Sequence, residues 1–141
     1  MHSPTEPTRR WPHWWPLAAL PLWLIALAAW RQLALPDEGR YGGVAYEMLQ
    51  NGDALTPTLF GMPYFHKPPL MYWIDMAALQ LLGPTKLALR IAPLLGAWIM
   101  GLALWIEAGT RYGRDGARQA LAVLAVLPLF YFGSQYANHD M

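Results

Sequence analysis

Read for polarity alone, the chain is three long apolar runs separated by one long polar stretch and one short one. Residues 14–30, 91–106 and 119–138 contain no Asp, Glu, Lys or Arg over 17, 16 and 20 positions. As helices these runs reach roughly 24–30 Å, close to the hydrocarbon thickness of a bilayer. Pro16, Pro21, Pro93 and Pro128 interrupt them, which a membrane helix tolerates better than a soluble one. Trp11, Trp14 and Trp15 flank the first run on one side and Trp30 on the other, the placement of interfacial belts. A soluble all-α bundle is the competing class. Its helices would show a charged face, and these runs show none. Arg9-Arg10 before an apolar run, with Ala26 and Ala28 as a small-residue pair, also fits a cleaved signal peptide. The run's length and Trp content favour a retained helix.

Between the first and second runs the pattern changes. Over 37–50, Tyr41, Val44, Ala45, Met48 and Leu49 recur at helical spacing, which predicts an amphipathic helix lying on the membrane surface. Asn51-Gly52 stops it. Residues 54–65 read as extended, with turns at Thr56-Pro57 and Gly61-Met62-Pro63. Pro68 disfavours helix at Lys67. Pro69 then opens a second surface helix, whose apolar stripe is Leu70, Trp73, Ile74, Ala77 and Leu81, ended by Gly83-Pro84. The expected fold class is therefore all-α integral membrane. It has about three transmembrane helices and an outer loop, 36–90, carrying two short surface helices. Residues 1–13, polar and Pro-rich, are expected to be a disordered cytoplasmic lead, and 14–141 a single unit.

Composition sharpens this. The chain is 55% hydrophobic and 13% charged, about half the charge of a soluble domain. A net charge of +1 with no basic run speaks against a nucleic-acid partner. The absence of cysteine excludes disulfides, thiolate metal sites and a Cys nucleophile. Compact cation clusters at Arg9-Arg10 and at Arg111, Arg114 and Arg118 contrast with Arg31, Arg40, Lys67, Lys86 and Arg90, which are spread along a longer loop. Density near short loops predicts a cytoplasmic N-terminus, a cytoplasmic 107–118 turn and an outward-facing 36–90.

Candidate chemistry concentrates in residues 36–69. Asp37-Glu38, with Arg40 nearby, is suited to positioning or deprotonating an acceptor at the membrane boundary. The same pair is suited to plain helix-start work, Asp37 as N-cap and Glu38 in the first turn. Lys67, between Tyr64-Phe65 and Pro68-Pro69, can hold a lipid-linked phosphate or simply snorkel to the headgroups. His66 can join a metal site or serve as an interfacial donor. His139-Asp140 ends the third run on the proposed outer side, as a helix-end charge or a second member of the site. No Walker loop, nucleophile elbow or zinc-helix motif occurs.

The run Asp37-Glu38, Arg40-Tyr41, Glu47-Met48-Leu49 with Gly52-Asp53, and Pro63-Tyr64-Phe65-His66-Lys67-Pro68-Pro69-Leu70-Met71-Tyr72-Trp73 resembles the first outer loop of the GT-C membrane glycosyltransferases. It is most similar to the aminoarabinose transferase branch, relatives of the protein O-mannosyltransferases. Leu89-Arg90-Ile91-Ala92-Pro93 resembles that family's entry into the second membrane helix, and residues 134–141 its acidic stretch after the third. The resemblance implies transfer of a sugar from a polyprenyl-phosphate carrier to a lipid or protein acceptor, at the outer face of the inner (plasma) membrane. It implies Asp37 as catalytic carboxylate, Asp140 as a second acidic site residue, and Lys67 with Tyr64 as contacts to the carrier phosphate. Glu38 and Arg40 fall within the same substrate-binding set. His66 stands where relatives commonly carry Glu, so a divalent metal is possible but not required. Relatives run to several hundred residues, so this chain is expected to be an N-terminal portion, inactive by itself. The rival expectation is a non-catalytic membrane protein that binds carrier lipid or a partner subunit.

Overall fold

The computed structural model describes residues 14–33 and 36–137. Its elements are α1 (Trp15–Trp30), α2 (Asp37–Asn51), β1 (Thr58–Leu59), β2 (Met62–Pro63), α3 (Pro69–Leu82), a 3-10 turn (Ala88–Arg90), α4 (Ile91–Val126) and α5 (Pro128–Gly133).

Helix α4 is the element long and apolar enough, with its 3-10 lead, to cross a membrane. It is not straight. Gly113 sits at φ +72°, ψ −173°, a left-handed conformation open to glycine and strained for other residues. The chain reverses there. A Cβ placed on Gly101 would lie 3.4 Å from a Leu121 methyl, and one on Gly109 would lie 3.8 Å from the Ala117 Cβ. In an unbroken helix, positions 101 and 121 would be about 30 Å apart. The cation-bearing 107–118 segment is therefore the tip of a helical hairpin with arms 91–112 and 114–126.

Helix α1 lies against this hairpin. Leu20, Leu24 and Ala28 are buried with Leu94, Ala97, Leu121 and Phe130, so α1, both arms and α5 share one core. The order is up–down–up: the end of α1, the start of α4 and residues 135–137 meet at one end, and Gly113 lies at the other. The fit is tight where α1 crosses Gly101, since a Cβ there would come within 2.6 Å of Leu20. Outward, the bundle presents Leu22, Ile99, Val126 and Leu129, an apolar exterior suited to lipid.

Pro21, inside α1, has no N–H to give to the carbonyl of Leu17 four residues earlier. The Trp98 indole N–H of α4 donates to that carbonyl at 3.3 Å. A neighbouring helix thus satisfies the backbone group that the proline frees. At the other interruption the chain does break. Leu127 is extended (ψ 122°) before Pro128, as expected for a residue preceding proline. The expected third run is consequently split between the second arm of α4 and α5.

The polar segment forms a second layer. Helix α2 starts and stops within a residue of expectation, with Gly52 at φ +66° closing it. Its apolar stripe does not face a membrane surface. Tyr41, Val44 and Met48 are buried against Tyr72, and Ala45 against Ala78, Leu79 and Ala88. For α3 the expected stripe stays on the outside and the opposite face packs. Leu70, Trp73 and Leu81 are exposed, and the buried face is Tyr72, Asp75, Ala78 and Leu79. The helix has two apolar faces, and the one containing an acid is the one that packs.

Residues 54–65 form a small hairpin, Thr58 opposite Pro63 and Leu59 opposite Met62. Phe60 (φ +54°) and Gly61 (φ +75°) make its turn, both positive as a two-residue hairpin turn of type I′ requires. The Glu47 carboxylate accepts their two N–H groups at 2.6 and 3.2 Å. Asp53 accepts from the Leu55 and Thr56 N–H groups. Both acids of the loop's middle are thus spent on backbone.

Candidate active site at the start of helix α2

Two adjacent acids open α2, and the helix turns them to different surroundings. Glu38 is fully buried. Its Oε1 accepts from Arg90 Nε at 3.0 Å, Arg31 Nη2 at 3.1 Å and the Ala137 N–H at 3.1 Å. Its Oε2 accepts from Arg90 Nη2 at 2.9 Å. The fork-on-fork pairing of Arg90 with a carboxylate is the strong, geometrically specific form of an ion pair.

Arg90 also binds the end of α1. Its remaining donors go to the carbonyls of Ala28, Arg31 at 3.0 Å and Gln32 at 2.9 Å. Guanidinium has five N–H donors, and all five are used. Three carbonyls at a helix end that lacks its own donors are thereby satisfied. Arg31 reaches the third strand of the bundle, donating to the Gln135 carbonyl at 2.6 Å. One buried pair therefore fastens α1, α2, α4 and residues 135–137 together. Glu38 was expected to touch substrate, but it has no exposed surface, and each of these four bonds goes to a protein group. Arg31 was read only as a loop cation, and Arg90 as a loop cation and as part of the motif entering the second membrane helix. The available signal for Arg90 was a charge set directly against the apolar run of α4.

Asp37 is turned outward and keeps a third of its side chain exposed. It is not the N-cap. Pro36 holds that position and no side-chain cap bond forms, so Asp37 occupies the first helical turn, where its charge suits the dipole. Its Oδ2 accepts from the Tyr136 hydroxyl at 3.2 Å, and its Oδ1 lies 3.8 Å from Arg40 Nη1. Arg40 is also hydrogen-bonded to Tyr64, which, with the nearby Asp37 charge, raises its pKa above the ordinary value.

Asp37, Arg40 and Tyr64, expected together, are thus brought together. The exposed His66 ring lies against Tyr64, tilted by 40° with centroids 4.6 Å apart. Lys67 is half-buried in the bend before α3, where an extended residue was expected. Among the described residues no three His, Cys, Asp or Glu side chains converge as a metal site would need. His139 and Asp140 lie outside the described residues. Tyr136 had no signal in the sequence beyond its nearness to them.

A family profile described as dolichyl-phosphate-mannose-protein mannosyltransferase matches residues 66–141. The chain belongs to this mannosyltransferase family. Among curated relatives, the undecaprenyl phosphate-α-4-amino-4-deoxy-L-arabinose arabinosyl transferase 1 of Sodalis glossinidius is 35% identical over 106 residues, covering 74% of this chain and 19% of that protein. The corresponding Edwardsiella ictaluri transferase is 32% identical over 129 residues, covering 90% and 23%. Two crystal structures of ArnT from Cupriavidus metallidurans superpose on 86% of this chain and 23% of theirs. The apo state does so with a TM-score of 0.73 at 28% identity, and the complex with undecaprenyl phosphate with 0.70 at 30%. The chain thus spans about a fifth of the length of these members of the mannosyltransferase family. The likeness to the aminoarabinose transferase branch runs through both layers of the fold.

Proposed function

We propose that this chain is the N-terminal part of a polyprenyl-phosphate-dependent glycosyltransferase of the inner membrane. In this reading it has three spans, residues 36–90 lie on the outer face and the N-terminus lies in the cytoplasm. The observation that carries the reading is the contrast between the two acids of α2. Glu38 is locked into the fold, while Asp37 is left partly exposed beside Arg40 and Tyr64. The similarity to an ArnT solved with undecaprenyl phosphate supports a lipid-phosphate donor.

In this reading the acceptor oxygen, of a lipid or a protein, attacks the anomeric carbon of the carrier-linked sugar. The bond from that carbon to the phosphate oxygen breaks, and the polyprenyl phosphate leaves with the bonding pair. Asp37 orients the acceptor and takes its proton. Lys67, with Tyr64, neutralises the departing phosphate. Arg40 holds Asp37 and Tyr64 in register, and Asp140 supplies a second acid. His66, lying against Tyr64, is placed to steady that ring, and no step passes through a metal. Glu38 and Arg90 act on substrate only through the position of Asp37. The 141-residue chain alone is expected to bind carrier lipid weakly without turnover.

The test is Asp37→Asn in the complete transferase, scored for insertion and for transfer from carrier-linked sugar. Loss of roughly a hundredfold or more with normal insertion is expected, the scale of a positioned acid–base group. Near-normal transfer would reduce Asp37 to a helix-dipole residue. Cysteines at Asn51 and Tyr112, labelled one at a time with an impermeant reagent, check the topology. Labelling of Tyr112→Cys but not Asn51→Cys from outside would put the site on the wrong face.

A further inference from the structure

Residues 135–137, which lead out of α5, touch the corner between α1 and α2 at every position. The Gln135 carbonyl accepts from Arg31 at 2.6 Å and the Ala137 N–H donates to Glu38 at 3.1 Å. The Tyr136 ring lies 5.9 Å from the Arg31 guanidinium carbon, and its hydroxyl meets Asp37 Oδ2 at 3.2 Å. The backbone on either side of Tyr136 is therefore pinned by groups that belong to the buried network. The ring is held on a cation, within the range of a cation–π contact, so the hydroxyl has little freedom except toward Asp37. On its other side the Asp37 carboxylate meets Arg40 at 3.8 Å through Oδ1. A hydrogen bond to one oxygen and a longer ion pair facing the other bias the plane of the carboxylate. A carboxylate offers about four acceptor positions, so capacity remains for an incoming hydroxyl.

We propose that Tyr136 is a positioning residue for Asp37, fixing the plane of its carboxylate so that the acceptor's proton meets a preset lone pair. The inference rests on Asp37 being the acceptor-orienting group. It assigns to the third strand of the bundle a direct part in setting the geometry of an acid on α2. Arg31 and the backbone bonds of Gln135 and Ala137 hold Tyr136, and Tyr136 in turn holds Asp37. Misplacing a reacting group by even 1 Å can cost about a hundredfold. Here Arg40 still restrains the other oxygen, so removing one of two restraints is expected to cost less.

The experiment is a double-mutant cycle in the complete transferase, with rates expressed per inserted molecule. Tyr136→Phe removes one oxygen and retains the ring over Arg31. It is expected to lower kcat about tenfold, with KM for the carrier-linked sugar within about twofold, because orientation and not donor binding is lost. In an Asp37→Asn background the same change should alter the residual rate by less than about twofold, since there is no longer a carboxylate to position. A merely structural Tyr136 would give the same fold-loss in both backgrounds, and that result overturns the proposal. So does wild-type kcat in Tyr136→Phe while Asp37→Asn is inactive, or a raised KM at unchanged kcat. Near-normal transfer by Asp37→Asn instead sinks the reading of Asp37 itself, and the role of Tyr136 with it.

Discussion

Arg90→Lys keeps the charge of the buried pair and should still be costly, because the site is built for a fork and not for a point charge. Arg90 meets five acceptors: the two oxygens of Glu38 and the carbonyls of Ala28, Arg31 and Gln32. An ammonium has three donors, so at least two of these acceptors lose their partner. At about 1–2 kcal/mol for each buried acceptor left unmet, the loss is about 2–4 kcal/mol. Arg90→Met removes the charge as well and leaves Glu38 to Arg31 and the Ala137 N–H, for which about 3–5 kcal/mol is expected. The assay is unfolding of the purified chain in mixed micelles titrated with a denaturing detergent, followed by tryptophan fluorescence. Lys86→Met is the control, since Lys86 makes an exposed bond to Gln32 and should shift stability by no more than about 0.5 kcal/mol. If Arg90→Lys unfolds within about 0.5 kcal/mol of the parent, the five-bond account is wrong and the residue serves only as a charge.

Two further outcomes follow, one from a buried acid and one from the carbonyl that Pro21 leaves unpaired in its own helix. Asp75, buried between α2 and α3, has its pKa pushed from the ordinary 3.8 up to about 8 by desolvation. The folded state therefore holds a proton that the unfolded state has released, and stability should fall as pH rises from about 4 to about 8. Asp75→Asn should flatten that slope in a melt series across pH, and an unchanged slope would place the charge elsewhere. Trp98→Phe leaves the Leu17 carbonyl without the indole donor that Pro21 makes necessary. A loss of about 1–3 kcal/mol is expected. In a Pro21→Ala background, where the helix can supply its own donor, the loss should shrink.

How much of this was legible in the sequence depended on how far apart the deciding residues lie. The limits of α2 were readable because Asn51-Gly52 is a local stop signal, and α1 because a charge-free run has few alternatives. The break before α5 was half-readable: Pro128 marked an interruption, but not whether the helix would bend or end. Local reasoning ran out where two faces competed. In α3 the stripe through Leu70, Trp73 and Leu81 looks better than one containing Asp75, and only the shape of α2 shows which is covered. The N-cap assigned to Asp37 failed for a related reason. An acid at a helix start fits both the cap and the first turn, and backbone geometry decides between them. The pairing of Asp37 with Arg40 was suggested by nearness in sequence, and Tyr64 joined the site only through the family resemblance. Glu38 with Arg90, Pro21 with Trp98 and Asp37 with Tyr136 were not readable, since 52, 77 and 99 positions separate them and no local pattern marks their meeting.

The Glu38 lock also sets a timetable for the newborn chain. Glu38 leaves the ribosome 52 residues before Arg90 and 99 before Ala137. At roughly 5–20 residues per second, synthesis separates Glu38 from its main partner by about 3–10 s and from its last by about 5–20 s. During that interval the acid cannot be buried without great cost, so α2 must wait at the water boundary while α1 is already in place. The arrival of Arg90 lets the outer layer dock, and residues 135–137 close it. The corner beside Asp37 is thus among the last parts of this segment to take shape, and it does so only after the helical hairpin has been laid down behind it.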